Sequence, residues 1–149
     1  MKAKNRQPKK QSVRAPESSS TVLRDALTIL ALVVLTFLVY GGAMQNGVLN
    51  WDDNYYITDS AYLKDLSWEG IKAIFSAYLV GNYHPLTLLS YALEYATAGK
   101  IDPALMHFTN VAFHVANTIL VMLLGKRLLH DHWGGVIMAV IFALHPMHV

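Results

Sequence analysis

Residues 26–44 read ALTILALVVLTFLVYGGAM, an apolar run with no charged side chain. As a helix rising about 1.5 Å per residue, it is long enough to cross a hydrocarbon core of roughly 30 Å. The rest of the chain agrees with that reading. It is 149 residues long, 54% hydrophobic and only 15% charged, where soluble domains carry roughly 25% charged residues. A cleaved signal peptide has a shorter apolar core, about 7 to 15 residues, and a small-residue cleavage site, so a retained anchor is the better description. The expected class is an all-α, polytopic membrane protein.

Two further apolar segments follow. Residues 104–124, ALMHFTNVAFHVANTILVMLL, are uncharged when their histidines are neutral, and residues 133–149, WGGVIMAVIFALHPMHV, run to the chain end. About three transmembrane helices are expected, the third with its continuation beyond Val149. This divides the chain into a basic disordered tail (1–25), a span (26–44), a long loop (45–103), a span (104–124), a short loop (125–132) and a span (133–149).

Charge sets the expected orientation. Lys2, Lys4, Arg6, Lys9, Lys10, Arg14 and Arg24 precede the first span, and Lys126 and Arg127 follow the second. Basic flanks stay on the cytoplasmic side. The loop 45–103 then faces the periplasm or a lumen, and its Asp52, Asp53, Asp59, Asp65, Glu69, Glu94 and Asp102 outnumber its lysines. The tail is expected to determine topology, with anionic lipid contact as the alternative. The bilayer, not nucleic acid, is the expected partner. With no cysteine in the chain, neither disulfides nor thiolate metal sites enter the argument.

The outer loop carries helix signals of its own. SWEGIKAIFSAYLV (67–80) opens on a Ser cap and continues with Ile71, Ile74, Phe75 and Tyr78 near helical spacing. NYHPLTLLSYALEYATAG (82–99) places Pro85 in a first turn and Gly99 at a helix end. Both are expected to lie at the membrane interface as a lid.

Two polar constellations stand out. Immediately after the first span, NGVLNWDDNYYITDS (46–60) presents the adjacent carboxylates Asp52 and Asp53. On pattern alone they read first as a cap or turn; the sharper reading is a pair that holds a cation, or whose mutual repulsion raises one pKa and makes a usable base. In the second span, His107, Asn110, His114 and Asn117 share one helix face, suited to interhelical hydrogen bonds or to lining a polar cavity. The third span is expected to return His145 and His148 to the side of Asp52 and His84. Those carboxylates and imidazoles are chemically compatible with a divalent metal, although no recognised ligand spacing is present.

NGVLNWDDNYYI, NYHPLTLLSYALEY, HFTNVAFHVANTILVMLL and ALHPMHV resemble, in order and spacing, the N-terminal membrane part of the tetratricopeptide-repeat O-mannosyltransferase-like proteins. These are C-type (GT-C) membrane glycosyltransferases. The resemblance implies the start of a GT-C fold and transfer of a sugar, mannose being the family's best-known case, from a polyprenyl-phosphate donor to an extracytoplasmic protein or glycan acceptor. It implies Asp52 as general base or metal holder with Asp53 in support. His84, His107, His145 and His148, which the topology places on the same side, are the candidate substrate-binding residues. Family members continue through further spans and repeats, so the chain is expected to be an N-terminal fragment, inactive alone. A non-catalytic membrane scaffold that keeps the start of the fold is the alternative.

Overall fold

A computed structural model describes residues 18–49 and 51–145. The basic tail up to residue 17 and His148 lie outside the described residues. Five α-helices account for most of it: α1 Ser19–Tyr40, α2 Trp68–Ser76, α3 Pro85–Ala98, α4 Pro103–Leu129 and α5 His132–Leu144. Among the described residues there is no strand, only an isolated bridge between Leu79 and Asn82.

The helices start and stop for local reasons. The Ser67 hydroxyl accepts the Gly70 amide and opens α2; Asp102 accepts the Leu105 amide and opens α4; Asp131 accepts the Gly134 amide and opens α5. Pro85 begins α3, where its missing N–H costs nothing. Gly99, at φ 69°, ends that helix in the left-handed conformation that only glycine adopts freely.

α1, with the 3₁₀ turn Gly41–Gln45 that extends it, and α4 are each long and apolar enough to cross a membrane. They run antiparallel. Asp25 near the start of α1 pairs with Lys126 near the end of α4, and Phe37 near the end of α1 meets Phe108 near the start of α4, ring centroids 6.0 Å apart. The third expected span is shorter than the sequence suggests. α5 has 13 residues, about 20 Å of helix against a core of roughly 30 Å. It turns back along α4 and ends beside His114, whose Nε2 donates to the Ala143 carbonyl at 3.1 Å. The difference arises because His145, at the C-cap, has extended backbone that closes the helix one residue before Pro146. α4 also runs to Leu129, past the expected boundary, so the turn to α5 is only His130 and Asp131.

Two separate cores hold the two halves. Leu32, Met122 and Ala139 join α1, α4 and α5. The loop after α1 folds on its own residues: Ile74, Ala77, Leu88 and Ala92 pack α2 on α3, with Tyr56, Tyr62 and Leu66 against them. Ile57, Leu63 and Met106 then tie this layer to the start of α4. At about 25 cal/mol per Å² of buried apolar surface, each buried Leu, Ile or Met in these clusters contributes about 1.5–3 kcal/mol, enough to make the loop a folded cap and not a linker.

Candidate functional site

The end of α1 delivers the chain into the acidic turn. Asp52 accepts the Tyr55 and Tyr56 amides through its carbonyl, and the Asp53 carboxylate accepts the Leu49 amide at 2.7 Å. This is the turn-forming role open to such residues. Asp53 is half-buried while the Asp52 side chain is exposed.

Asp52, Asp53 and His84 line one open cavity of about 330 Å³, with Tyr56 and Tyr91. Asp53 and Tyr91 also line a smaller cavity of about 110 Å³, whose far wall is His107 and Asn110. His107 and Asn110 in turn open onto a third, about 530 Å³, lined by His114, Asn117 and Ala43. The three spaces therefore adjoin through shared walls and run from the acidic turn down the polar face of α4. All four residues of the α4 stripe line this path. They do not play equal parts. His114 is buried, stacked on Phe142 with centroids 5.2 Å apart and edge-on to Tyr40 at 5.4 Å. With its bond to Ala143, His114 answers the interhelical alternative, whereas Asn110 and Asn117 are exposed to the cavity.

His145 is not drawn into this path. It sits at the exposed end of α5, level with His114, a helix position about 10 Å from His107. Asp52 and His84 share one cavity, whereas His145, at the end of the short α5, lines none of these three spaces. Among the described residues no three histidine, aspartate or glutamate side chains come close enough together to hold a metal ion.

Two site residues were missed by sequence reasoning. Tyr91 carries no signal in the sequence beyond an aromatic position in the second loop helix, yet it lines two cavities; burial pushes its pKa up, and the Asp53 and Glu94 carboxylates push in the same direction. It stays protonated and is a donor. Glu94 was counted only among the acidic residues of the outer loop, yet it is 8% exposed, with Oε2 unpartnered. Desolvation raises its pKa, and Thr109 beside it pulls only partly the other way. A lone charge in an otherwise uncharged helix, PLTLLSYALEYATA, was the available signal.

Comparison with known proteins finds sequence relatives. The chain is 38% identical over 68 residues to protein O-mannosyl-transferase Tmtc1 of Drosophila melanogaster, covering 46% of this chain and 8% of that protein. It is 33% identical over 67 residues to human protein O-mannosyl-transferase TMTC3, covering 45% and 7%. The mouse protein O-mannosyl-transferase TMTC2 gives 37% over 67 residues, covering 45% and 8%. The chain is related to the O-mannosyltransferase-like family. The matched segment spans less than a tenth of the length of these relatives. No protein-family model matches the chain, and no solved structure matches it. Its kinship with the O-mannosyltransferase-like proteins therefore rests on sequence, over somewhat less than half of the chain.

Proposed function

We propose that this chain forms the acceptor-side beginning of a membrane glycosyltransferase that moves a sugar from a polyprenyl-phosphate donor to a hydroxyl on an extracytoplasmic acceptor. The observation that carries the reading is that the acidic turn lines the first of three cavities that share wall residues down the His107–Asn117 face of α4, beside two membrane-length helices. The relatives are protein O-mannosyl-transferases, which supplies the chemistry; mannose is the first sugar to test.

In this reading Asp52 is the base and Asp53 its support. One Asp53 oxygen is already held by the Leu49 amide, which fixes the turn, while Asp52 stands exposed where an acceptor enters. Asp52 takes the acceptor hydroxyl proton as that oxygen bonds to the anomeric carbon, and the bond from that carbon to the polyprenyl phosphate breaks with its electron pair. His84 and His107 lie on the walls to either side and orient the acceptor and sugar hydroxyls. The donor tail stays in lipid and the phosphate at the interface, so a base a few residues from a span end meets the reacting centre without crossing hydrocarbon. The described loop offers only Lys64, Lys72 and Lys100 as cations, so phosphate stabilisation falls to residues outside this segment.

The scaffold alternative is favoured by the same hydrogen bond from Leu49 to Asp53, since a purely structural turn needs it too. The two separate in a chimera of Drosophila Tmtc1 that carries this chain in place of its own corresponding part, assayed for transfer from polyprenyl-phosphate mannose to a hydroxylated peptide. An active chimera that loses about 10²- to 10⁴-fold of its turnover in Asp52→Asn, with thermal stability unchanged, supports the base. Full activity in Asp52→Asn, with destabilisation confined to Asp52→Ala, returns Asp52 to a structural role.

A further inference from the structure

The opposite end of the helix bundle carries a cavity that the transfer reaction does not use. It has a volume of about 560 Å³ and lies between the start of α1, the end of α4 and the turn into α5, with Arg24, Lys126 and Arg127 on its walls. The charges there are not equivalent. Lys126 is held by Asp25, whose other oxygen lies 3.1 Å from His132 Nδ1. Asp131 also lines the cavity, and its Oδ2 accepts the Gly134 amide at 2.6 Å to cap α5. Arg24 and Arg127 make no ion pair among the described residues. They are the cations left to meet an anion.

Arg24 is also a wall of a second space, an apolar groove of about 530 Å³ between α1 and α5, floored by Leu23, Leu27, Ala31 and Val136 and flanked by Trp133. A charged cavity that opens through one arginine onto an apolar groove has two chemistries in one site. A soluble anion satisfies the first and leaves the groove to be filled separately. Trp133, 64% exposed, marks this end as the level where amphipathic rings rest between headgroups and chains.

We propose that this end of the bundle is a binding site for an anionic phospholipid, with the headgroup phosphate between Arg24 and Arg127 and one acyl chain along the α1–α5 groove. Arginine suits the role, because its planar fork matches phosphate oxygens in pairs. Each arginine near an anionic surface strengthens attraction by about fivefold. The site lies at the far end from Asp52, so it anchors the helix pair in register with the bilayer and does not depend on the transferase reading.

Trp51 and Trp68 are exposed surface residues, so the full chain with Trp51→Phe and Trp68→Phe keeps Trp133 as its reporter. This protein is reconstituted in phosphatidylcholine vesicles containing a minor fraction of brominated phosphatidylglycerol or the same fraction of brominated phosphatidylcholine. Brominated phosphatidylglycerol is expected to quench Trp133 several-fold more strongly. Arg24→Gln with Arg127→Gln is expected to equalise the two lipids, and Arg24→Lys with Arg127→Lys, which keeps the charge and controls for folding, to retain most of the preference. Equal quenching in the parent, or an undiminished preference in the double glutamine variant, overturns the proposal. Inorganic phosphate, at ionic strength matched with chloride, should leave the preference in place; if it abolishes it, the site takes free phosphate and the lipid assignment fails.

Discussion

Asp53 and Tyr91 line the same two cavities, one reaching His84 and the other reaching His107. The carboxylate turns a chain that has just left α1, and the phenol comes from the middle of α3, so the pair joins the folded cap to the first long helix. Because burial and then the Asp53 charge raise the Tyr91 pKa, the hydroxyl keeps its proton at neutral pH and is free to donate to a bound acceptor.

Tyr91→Phe should therefore separate packing from chemistry. The ring stays against the Ile57, Leu63 and Met106 cluster, so thermal stability in detergent should change little. In the active chimera, loss of the hydrogen bond that Tyr91 is expected to give a bound acceptor, about 1.4 kcal/mol, lowers transfer by about tenfold. Unchanged transfer would remove Tyr91 from the site, and a large fall in the unfolding temperature would make it a core residue only.

Glu94 predicts a pH dependence of stability. Its carboxyl pKa is raised in the fold, mainly by desolvation, so the native state favours the protonated form. The associated stability is complete below the unfolded carboxyl value of about 4.3 and is lost as pH rises through the folded value. Glu94→Gln, always neutral, should match the parent near pH 4 and exceed it in unfolding temperature at neutral pH. A parent that gains on Glu94→Gln as pH rises would show that the carboxylate is paired, not stranded.

How far the sequence reached depended on range. The Ser67 cap and the Pro85 and Gly99 boundaries are set within a few residues, and all are found. Of the apolar residues expected on the face of α2, Ile74 is buried, but Phe75 and Tyr78 are exposed: the helix ends at Ser76, and Tyr78 pairs instead with Tyr83, centroids 5.2 Å apart. The α4 stripe was legible because helical spacing alone aligns His107, Asn110, His114 and Asn117. Its division into a clamped His114 and a cavity-lining His107 was not, because that depends on where Tyr40 and Phe142 arrive from other helices. Tyr91 was hidden for the same reason. Its neighbours Asp53 and His107 come from other segments of the chain, and no local pattern brings them together.

Sidedness is testable with unusual cleanliness, because the chain has no cysteine. Arg24, Lys126 and Arg127 gather at one end of the α1–α4 pair, and the acidic cap lies at the other. Basic flanks predict that the first end is cytoplasmic. Expressed in bacterial cells, Ser76→Cys should react with a membrane-impermeant maleimide on intact cells, and Ser18→Cys only after permeabilisation. The reverse pattern would put Asp52 in the cytoplasm and end the case for an extracytoplasmic acceptor.

The turn between α4 and α5 holds because two glycines let the backbones meet. A Cβ on Gly135 would fall 2.7 Å from both the Met122 carbonyl oxygen and the Lys126 amide nitrogen, and one on Gly125 would fall 3.0 Å from the Gly135 Cα. Small residues at a helix crossing are the usual means of close approach where no hydrophobic effect drives association. Two effects compete in Gly135→Ala. Helix propensity favours alanine by about 1 kcal/mol, whereas forcing a methyl into packed backbone costs about 1–3 kcal/mol. The obstacle is backbone on both sides, which cannot rotate away as a side chain can, so the second effect should win and the unfolding temperature in detergent should fall. Gly42→Ala, where an added Cβ meets nothing within 4 Å, serves as the control and should be neutral or slightly stabilising. A rise in the unfolding temperature for Gly135→Ala would show that α4 and α5 do not cross this closely, and the hydrogen bond from His114 to Ala143, which depends on that crossing, would then have to be abandoned as well.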